Sequence, residues 1–174
     1  ILGGGGITRS LLPLLAPFNC DISVVRRSSE PLEGANRTLT SARLMEVLPR
    51  TDLLILALSL TAETRGIIGV KELAALPDHA WIVNVARGGH IDTDALVQAL
   101  ENNSIGGAAL DVTDPEPLPD QHPLWSLPNC LITPHIGNTP DMGLDVLVPF
   151  IEENVRRFCQ GQELLAPVDV SLGY

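Results

Sequence analysis

The sequence is short of cysteine, of positive charge and of long apolar runs, and each shortage removes a class of protein. Its three cysteines, Cys20, Cys130 and Cys159, are odd in number, far apart and in no CxxC pattern. That usage argues against a disulfide framework and a zinc site, so no metal is expected and a reducing cytoplasm is the compartment it fits. Eleven Lys and Arg face twenty-one Asp and Glu, a formal net charge of −10. A nucleic acid or an acidic membrane surface would be repelled on average. No window approaches the roughly 20 uninterrupted apolar residues of a spanning helix. No charged stretch leads into an apolar run and a small-residue cleavage site, as a secretory signal would. Internal repeats and low-complexity tracts are absent too. Strand is also missing at the start: only Ile1 and Leu2 precede a glycine run, where such a strand usually has about five or six residues. The opening reads as a cut, with further chain expected upstream.

What is present is an alternation. The 174 residues, 45% apolar and 18% charged, fit one globular domain with a real core. Nearly all-apolar, β-branched runs at 22–25, 53–58, 81–85, 108–112 and 130–133 follow the stub at Ile1, as strands buried on both faces do. Between them, 7–16, 41–48, 71–76 and 92–101 carry apolar positions three and four apart, the helical period. The pattern predicts an α/β fold with a doubly wound parallel sheet, the Rossmann arrangement, in strand order 3-2-1-4-5-6. Pro13 favours a kink in the first helix. Five prolines between Asp114 and Pro128 predict an ordered loop, because proline interrupts both helix and central strand. Residues 141–159 read as a long helix, bent or interrupted near Pro149 and stopped by Gly161.

Gly3, Gly4, Gly5 and Gly6 lie between the strand stub and an apolar helix. Exposed backbone donors and the helix's positive end can there cradle a pyrophosphate. A flexible turn is the plainer reading of a glycine run alone. Read as G-x-G-x-x-G, the motif has Gly3 and Gly5 but Thr8 in the third place, so helix and strand must pack around a side chain. At the end of the next strand, where an acidic residue commonly binds the ribose diol, stands Arg26, followed by Arg27 and Ser28. These donors suit a 2′-phosphate and favour NADP over NAD. A solvated surface pair is the alternative.

Three further segments match a known family in order: Asn84-Val85-Ala86-Arg87-Gly88-Gly89-His90-Ile91-Asp92; Ala109-Leu110-Asp111-Val112 running on to Asp114-Pro115-Glu116-Pro117; and Thr133-Pro134-His135-Ile136-Gly137. Together the chain resembles the dinucleotide-binding half of the D-2-hydroxyacid dehydrogenases, which include glyoxylate/hydroxypyruvate reductases, phosphoglycerate dehydrogenases and D-lactate dehydrogenases. Singly, Arg87 could be a surface cation, Glu116 a solvated carboxylate and His135 a structural imidazole. The joint pattern favours catalysis. His79, His90 and His122 lack such framing and read as ordinary surface residues.

The resemblance implies hydride transfer between a nicotinamide cofactor and a small 2-hydroxy or 2-oxo acid. His135 would be the acid/base, since imidazole titrates near neutrality. Glu116 would orient it through the other ring nitrogen. Arg87 would bind the substrate carboxylate and polarise the C2 carbonyl, with all three converging at one cleft. Gly6 and Ile7 would contact the pyrophosphate, Asp111 the nicotinamide carboxamide and the turn at Leu58 and Ser59 the adenosine side, with Ala86 also among the cofactor-binding residues. Ala57 and Ser59 depart from the histidine and proline common in the family. Residues 1–174 would form one domain of a two-domain homodimeric enzyme, with segment 141–174 returning toward an absent substrate domain. The fragment alone would be inactive. A dinucleotide-sensing regulatory module, corepressor-like, is the alternative on the same fold.

Overall fold

A computed structural model describes residues 1–170 and divides the chain into two compact units, Ile1–Pro134 and the segment from His135 onward. In the first unit the strands are β1 (Ser23–Arg26), β2 (Arg37–Thr40), β3 (Leu53–Leu56), β4 (Trp81–Asn84), β5 (Gly107–Leu110) and β6 (Cys130–Ile132). Every pairing is parallel. Leu2 bridges β1 and β3, with Leu2 N donating to Ile55 O at 2.7 Å and Gly3 N to Val25 O at 2.8 Å. Across the sheet the order is β2, β1, the Leu2 segment, β3, β4, β5, β6. Counted from Leu2, this is 3-2-1-4-5-6-7.

The order therefore has the expected form with one more strand. Position three belongs to β2, not to the 53–58 run, which sits on the other side of Leu2. Arg37–Thr40 escapes an apolar-run search because it is an edge strand with only Leu39 buried. The central strands behave as the pattern requires: register sets Leu54 beside Ile82 and Ile82 beside Ala108, and all three are buried. Each large side chain so buried contributes roughly 1.5–3 kcal/mol relative to exposure.

The helices are α1 (Gly6–Leu15), α2 (Leu44–Val47), α3 (Val70–Ala75) and α4 (Thr93–Glu101). Asp92 caps α4, its carboxylate accepting from Ala95 N at 3.1 Å, and Ala95, Leu96, Ala99 and Leu100 form the buried face. The single helix expected over 41–48 is instead a short α-turn between two 3-10 turns, Ser41–Arg43 and Leu48–Arg50. Pro49 lies in the second of these, where it cannot supply the amide that would extend an α-helix. The proline-rich loop is anchored by buried Leu118 and Leu124 and by Trp125 Nε1 donating to Pro119 O at 2.9 Å. The Cys130 thiol, in β6, is pushed up to about 11 by burial.

In the second unit α5 (Pro140–Cys159) runs unbroken past Pro149, and Gly161 follows at φ +64°. Arg156 and Arg157 hold the Glu153 carboxyl down at about 2. Asn154 ties the helix to the tail through Leu165 N, at 2.7 Å. Met142, Val146 and Phe158 are exposed along it. No helix among the described residues is long and apolar enough to cross a membrane. Residues 171–174 of the expected returning segment lie outside the described residues.

At the amino ends of β3 and β4, His79 Nε2 meets Asp52 Oδ1 at 2.8 Å, with Asp78 at 3.5 Å from Nδ1. The hydrogen bond to Asp52, aided by Asp78, raises the His79 pKa above its ordinary value. A raised folded-state value contributes stability that is fully present below the unfolded pKa, about 6.5. That contribution is lost as pH rises through the folded value. A two-dimensional NMR titration should find His79 titrating above a peptide histidine and Asp52→Asn lowering it. An unchanged midpoint in the variant would refute the pairing.

Candidate active site

The carboxyl ends of the parallel strands carry most of the nominated residues, and the glycine turn is built there first. Gly3 has φ +106°, and a Cβ on it would lie 2.1 Å from Ala57 O. Only glycine combines that left-handed backbone with so close an approach to the chain leaving β3. At Gly4 a Cβ would come within 2.7 Å of Arg26 Cδ, so the arginine stem lies along the turn. Added Cβ atoms at Gly5 and Gly6 would meet nothing within 4 Å. The turn is thus closed beneath and open above, in front of the unpaired first-turn amides of α1. This open cradle, with an arginine beside it, fits a dinucleotide's phosphates. Ile7 is exposed at its rim.

Thr8 explains the missing third glycine. Its side chain is fully buried and its hydroxyl donates to Gly3 O at 2.8 Å. The turn therefore absorbs a side chain and gains a hydrogen bond. Arg26 is half-buried and enters no ion pair among the described residues. Arg27 is exposed, and Ser28 Oγ accepts from Glu30 N at 3.1 Å. Leu58 is brought to the same place, its Cα 3.0 Å from the Cβ position of Gly3.

Arg87 follows β4 on a turn held by the buried Asn84. Asn84 Oδ1 accepts from Ala86 N at 3.0 Å and Nδ2 donates to Arg87 O at 2.9 Å. An asparagine closing an otherwise apolar strand is the signal that could have marked it. The Arg87 side chain is exposed, with one guanidinium nitrogen donating to Ala86 O at 2.6 Å. The turn packs onto the start of the proline-rich loop: a Cβ on Gly88 would stand 2.0 Å from the Thr113 carbonyl. Thr93 Oγ1 donates to Asp114 O at 2.7 Å, and Arg65 pairs with Asp114 at 3.6 Å. The segments bearing Arg87 and Glu116 are so brought together, with Glu116 exposed. Asp111, after β5, accepts from Thr133 Oγ1, after β6, at 2.6 Å.

His135 opens the second unit. It is exposed, and its φ of +55° puts a non-glycine backbone in the left-handed region. Such strain is concentrated at functional positions.

One histidine departs from expectation. His90 is no surface residue: it is fully buried, its ring nitrogens 3.1 Å from the carbonyl oxygens of Thr64 and Leu58. Spacing along the chain gave no sign of this, because both partners lie more than twenty residues upstream. His79 is exposed, and the partly exposed His122 caps a 3-10 turn by accepting from Leu124 N at 3.3 Å. A cavity of about 270 Å³, lined by Ile1, Cys20, Asp21, Arg37 and Asp52, opens at the opposite, amino ends of the strands and holds none of the nominated residues.

Comparison with known proteins identifies the family and the fold. Residues 1–137 match the family described as D-isomer specific 2-hydroxyacid dehydrogenase, NAD binding domain. Over its whole length the chain is 36% identical to a glyoxylate/hydroxypyruvate reductase A from Serratia proteamaculans, of which it covers 55%. A D-isomer specific 2-hydroxyacid dehydrogenase from Xanthobacter autotrophicus, solved with NADPH and MES, superposes with a TM-score of 0.90 at 36% identity. The alignment takes in 99% of this chain and 71% of that one. An NADPH-dependent glyoxylate/hydroxypyruvate reductase from Sinorhizobium meliloti, solved with NADP and sulfate, gives 0.90 at 31%, over 99% and 55%. The chain spans about half the length of the curated relatives it matches. These matches lend nothing to the regulatory alternative.

Proposed function

Because the chain belongs to the D-isomer specific 2-hydroxyacid dehydrogenase family, as its NAD-binding domain, we propose that the intact protein is an NADP-preferring reductase of small 2-oxo acids. One sheet edge carries this reading: the open glycine turn, the Arg26 stem over Gly4 and the Asn84-braced turn of Arg87 all lie beyond carboxyl ends of parallel strands, where α/β folds bind ligands.

When bound, the reduced dinucleotide supplies the hydride. The amides of Gly5, Gly6 and Ile7 hold its pyrophosphate at the positive end of α1. Arg26, with Arg27 and Ser28 nearby, pairs with the 2′-phosphate. Asp111, steadied by the Thr133 hydroxyl, takes the carboxamide beside Ala86, and Leu58 lines the adenosine side. Arg87 forks onto the substrate carboxylate and carbonyl oxygen, drawing charge from C2. His135 gives its ring proton to that oxygen, and Glu116 accepts from the other ring N–H, fixing the tautomer. Residues 1–174 form the dinucleotide domain, and a substrate domain completes the pocket. The exposed Met142, Val146 and Phe158 of α5 support burial of that segment against the rest of a homodimer. Three free cysteines support a cytoplasmic location.

The test is reduction of glyoxylate and hydroxypyruvate by the intact protein with NADPH and with NADH. The phosphorylated cofactor should bind about ten- to a hundredfold more tightly, roughly 1–3 kcal/mol. Arg26→Asp should abolish the preference, and added salt should shrink it. Equal affinities in the parent, unchanged by the substitution, would end the phosphate assignment. No cofactor oxidation with any small 2-oxo acid would end the reductase reading itself.

A further inference from the structure

His90 is the one fully buried histidine among the described residues, and the reaction as outlined makes no use of it. Its surroundings are specific. The chain leaves β3, passes Leu58, turns through Thr61 and Thr64, and returns at Gly66 to lie along the arginine segment. Gly66 N donates to Gly89 O at 2.8 Å and Ile68 N to His90 O at 3.0 Å. The turn closes on itself through Thr64 Oγ1, which donates to Ser59 O at 2.7 Å and accepts from Thr61 N at 2.8 Å. Inside it sits the His90 ring, Nε2 at 3.1 Å from Leu58 O near the start and Nδ1 at 3.1 Å from Thr64 O near the return. A neutral imidazole donates from one of these nitrogens and a charged one from both. The loop itself is partly exposed, but these two carbonyls turn inward onto a fully buried ring, where they need such donors.

The placement links two halves of the site. Leu58 adjoins Gly3, whose missing Cβ leaves room for the chain after β3. His90 ends the 3-10 turn Gly88–His90, which Arg87 precedes, and His90 N donates to Arg87 O at 3.3 Å. We propose that His90 is a positioning residue that fixes the dinucleotide-side loop at 58–66 against the turn carrying the substrate-binding Arg87. Its imidazole sets the spacing between cofactor and substrate subsites without touching either ligand. This rests on the reductase reading for its kinetic consequence, not for the tether itself.

The experiment compares His90→Leu and His90→Gln with the parent in the intact protein. Leucine removes every side-chain donor, whereas the glutamine amide carries two N–H groups that can serve both carbonyls. In His90→Leu the amides of Thr61, Arg65 and Gly66 should exchange with solvent about tenfold faster or more, while that of Leu96 in α4 keeps its protection. The dinucleotide Kd and the KM for the 2-oxo acid should both rise about tenfold, and His90→Gln should recover most of each. Unchanged exchange in the loop, faster exchange throughout the domain, or loop loosening with both constants unmoved would each overturn the proposal. If His90→Leu does not fold, His90→Asn serves, since its shorter amide spans one carbonyl. The exchange and both constants must then move together by a smaller factor. A parent that neither binds dinucleotide nor reduces 2-oxo acids would defeat the functional reading, and the loop amides would still decide the tether.

Discussion

His135→Ala in the intact protein should lower kcat for the proposed 2-oxo acid reduction by about 10²- to 10⁴-fold, the range that a positioned acid/base supplies. The Kd of the reduced dinucleotide should stay within a factor of about two, because in the proposed reaction the imidazole acts on the substrate oxygen and not on the phosphates. The residue stands directly after Pro134 with φ +55°, a conformation costing a non-glycine residue roughly 1–2 kcal/mol. Alanine keeps the backbone and deletes only the ring, so the loss reports the proton transfer. Glu116→Gln should act in the same direction and more weakly, since it disturbs the ring's orientation and leaves the ring in place. A His135→Ala enzyme with a normal rate would remove this residue from the acid/base role and leave Arg87 to account for catalysis alone.

The second large effect is on the glycine turn, where two substitutions of the same size should separate folding from binding. Gly3→Ala puts a methyl group 2.1 Å from Ala57 O at φ +106°. The strained backbone and the forced movement of the chain after β3 together should cost about 3–5 kcal/mol. At roughly 2–4 °C per kcal/mol for a domain of this size, Tm should fall by about 10 °C. Gly5→Ala differs at both points, with φ −82° and nothing within 4 Å of the new atom. Its Tm should move by no more than a degree or two. Its methyl group enters the open face of the cradle, so dinucleotide affinity should drop about tenfold or more. Calorimetry with and without dinucleotide separates the two. Equal Tm values for both variants would contradict the close approach at Gly3, and unimpaired binding by Gly5→Ala would move the pyrophosphate off this turn.

Much of the fold can be read directly because it rests on local chemistry. Strands inside a parallel sheet covered by helices are largely apolar, so β3 and β4 announce themselves even though Leu53 and Trp81 at their starts are exposed and Asn84 ends β4, and a helix covering the sheet must repeat apolar residues every three or four positions, as α4 does. The glycine run, the arginine that ends β1 and the three ordered motifs likewise mark the proposed dinucleotide turn and the nominated catalytic residues, because phosphate and carboxylate recognition restrict which side chains can stand there. β2 is silent by the same logic: an edge strand with one buried residue carries no run to detect.

The sequence by itself determined the alternation of strands and helices, the family and the residues nominated for chemistry, since each follows from residue type and near-neighbour order. The tertiary structure alone decided what those residues lean on. Thr8 occupies a glycine's place because its hydroxyl finds Gly3 O. Asn84 holds the arginine turn through two hydrogen bonds. His90 leaves the surface for the interior because two carbonyls from another loop meet its ring. Hydrogen-bond partners separated by tens of residues are set by how the chain returns on itself, and no local periodicity encodes that return.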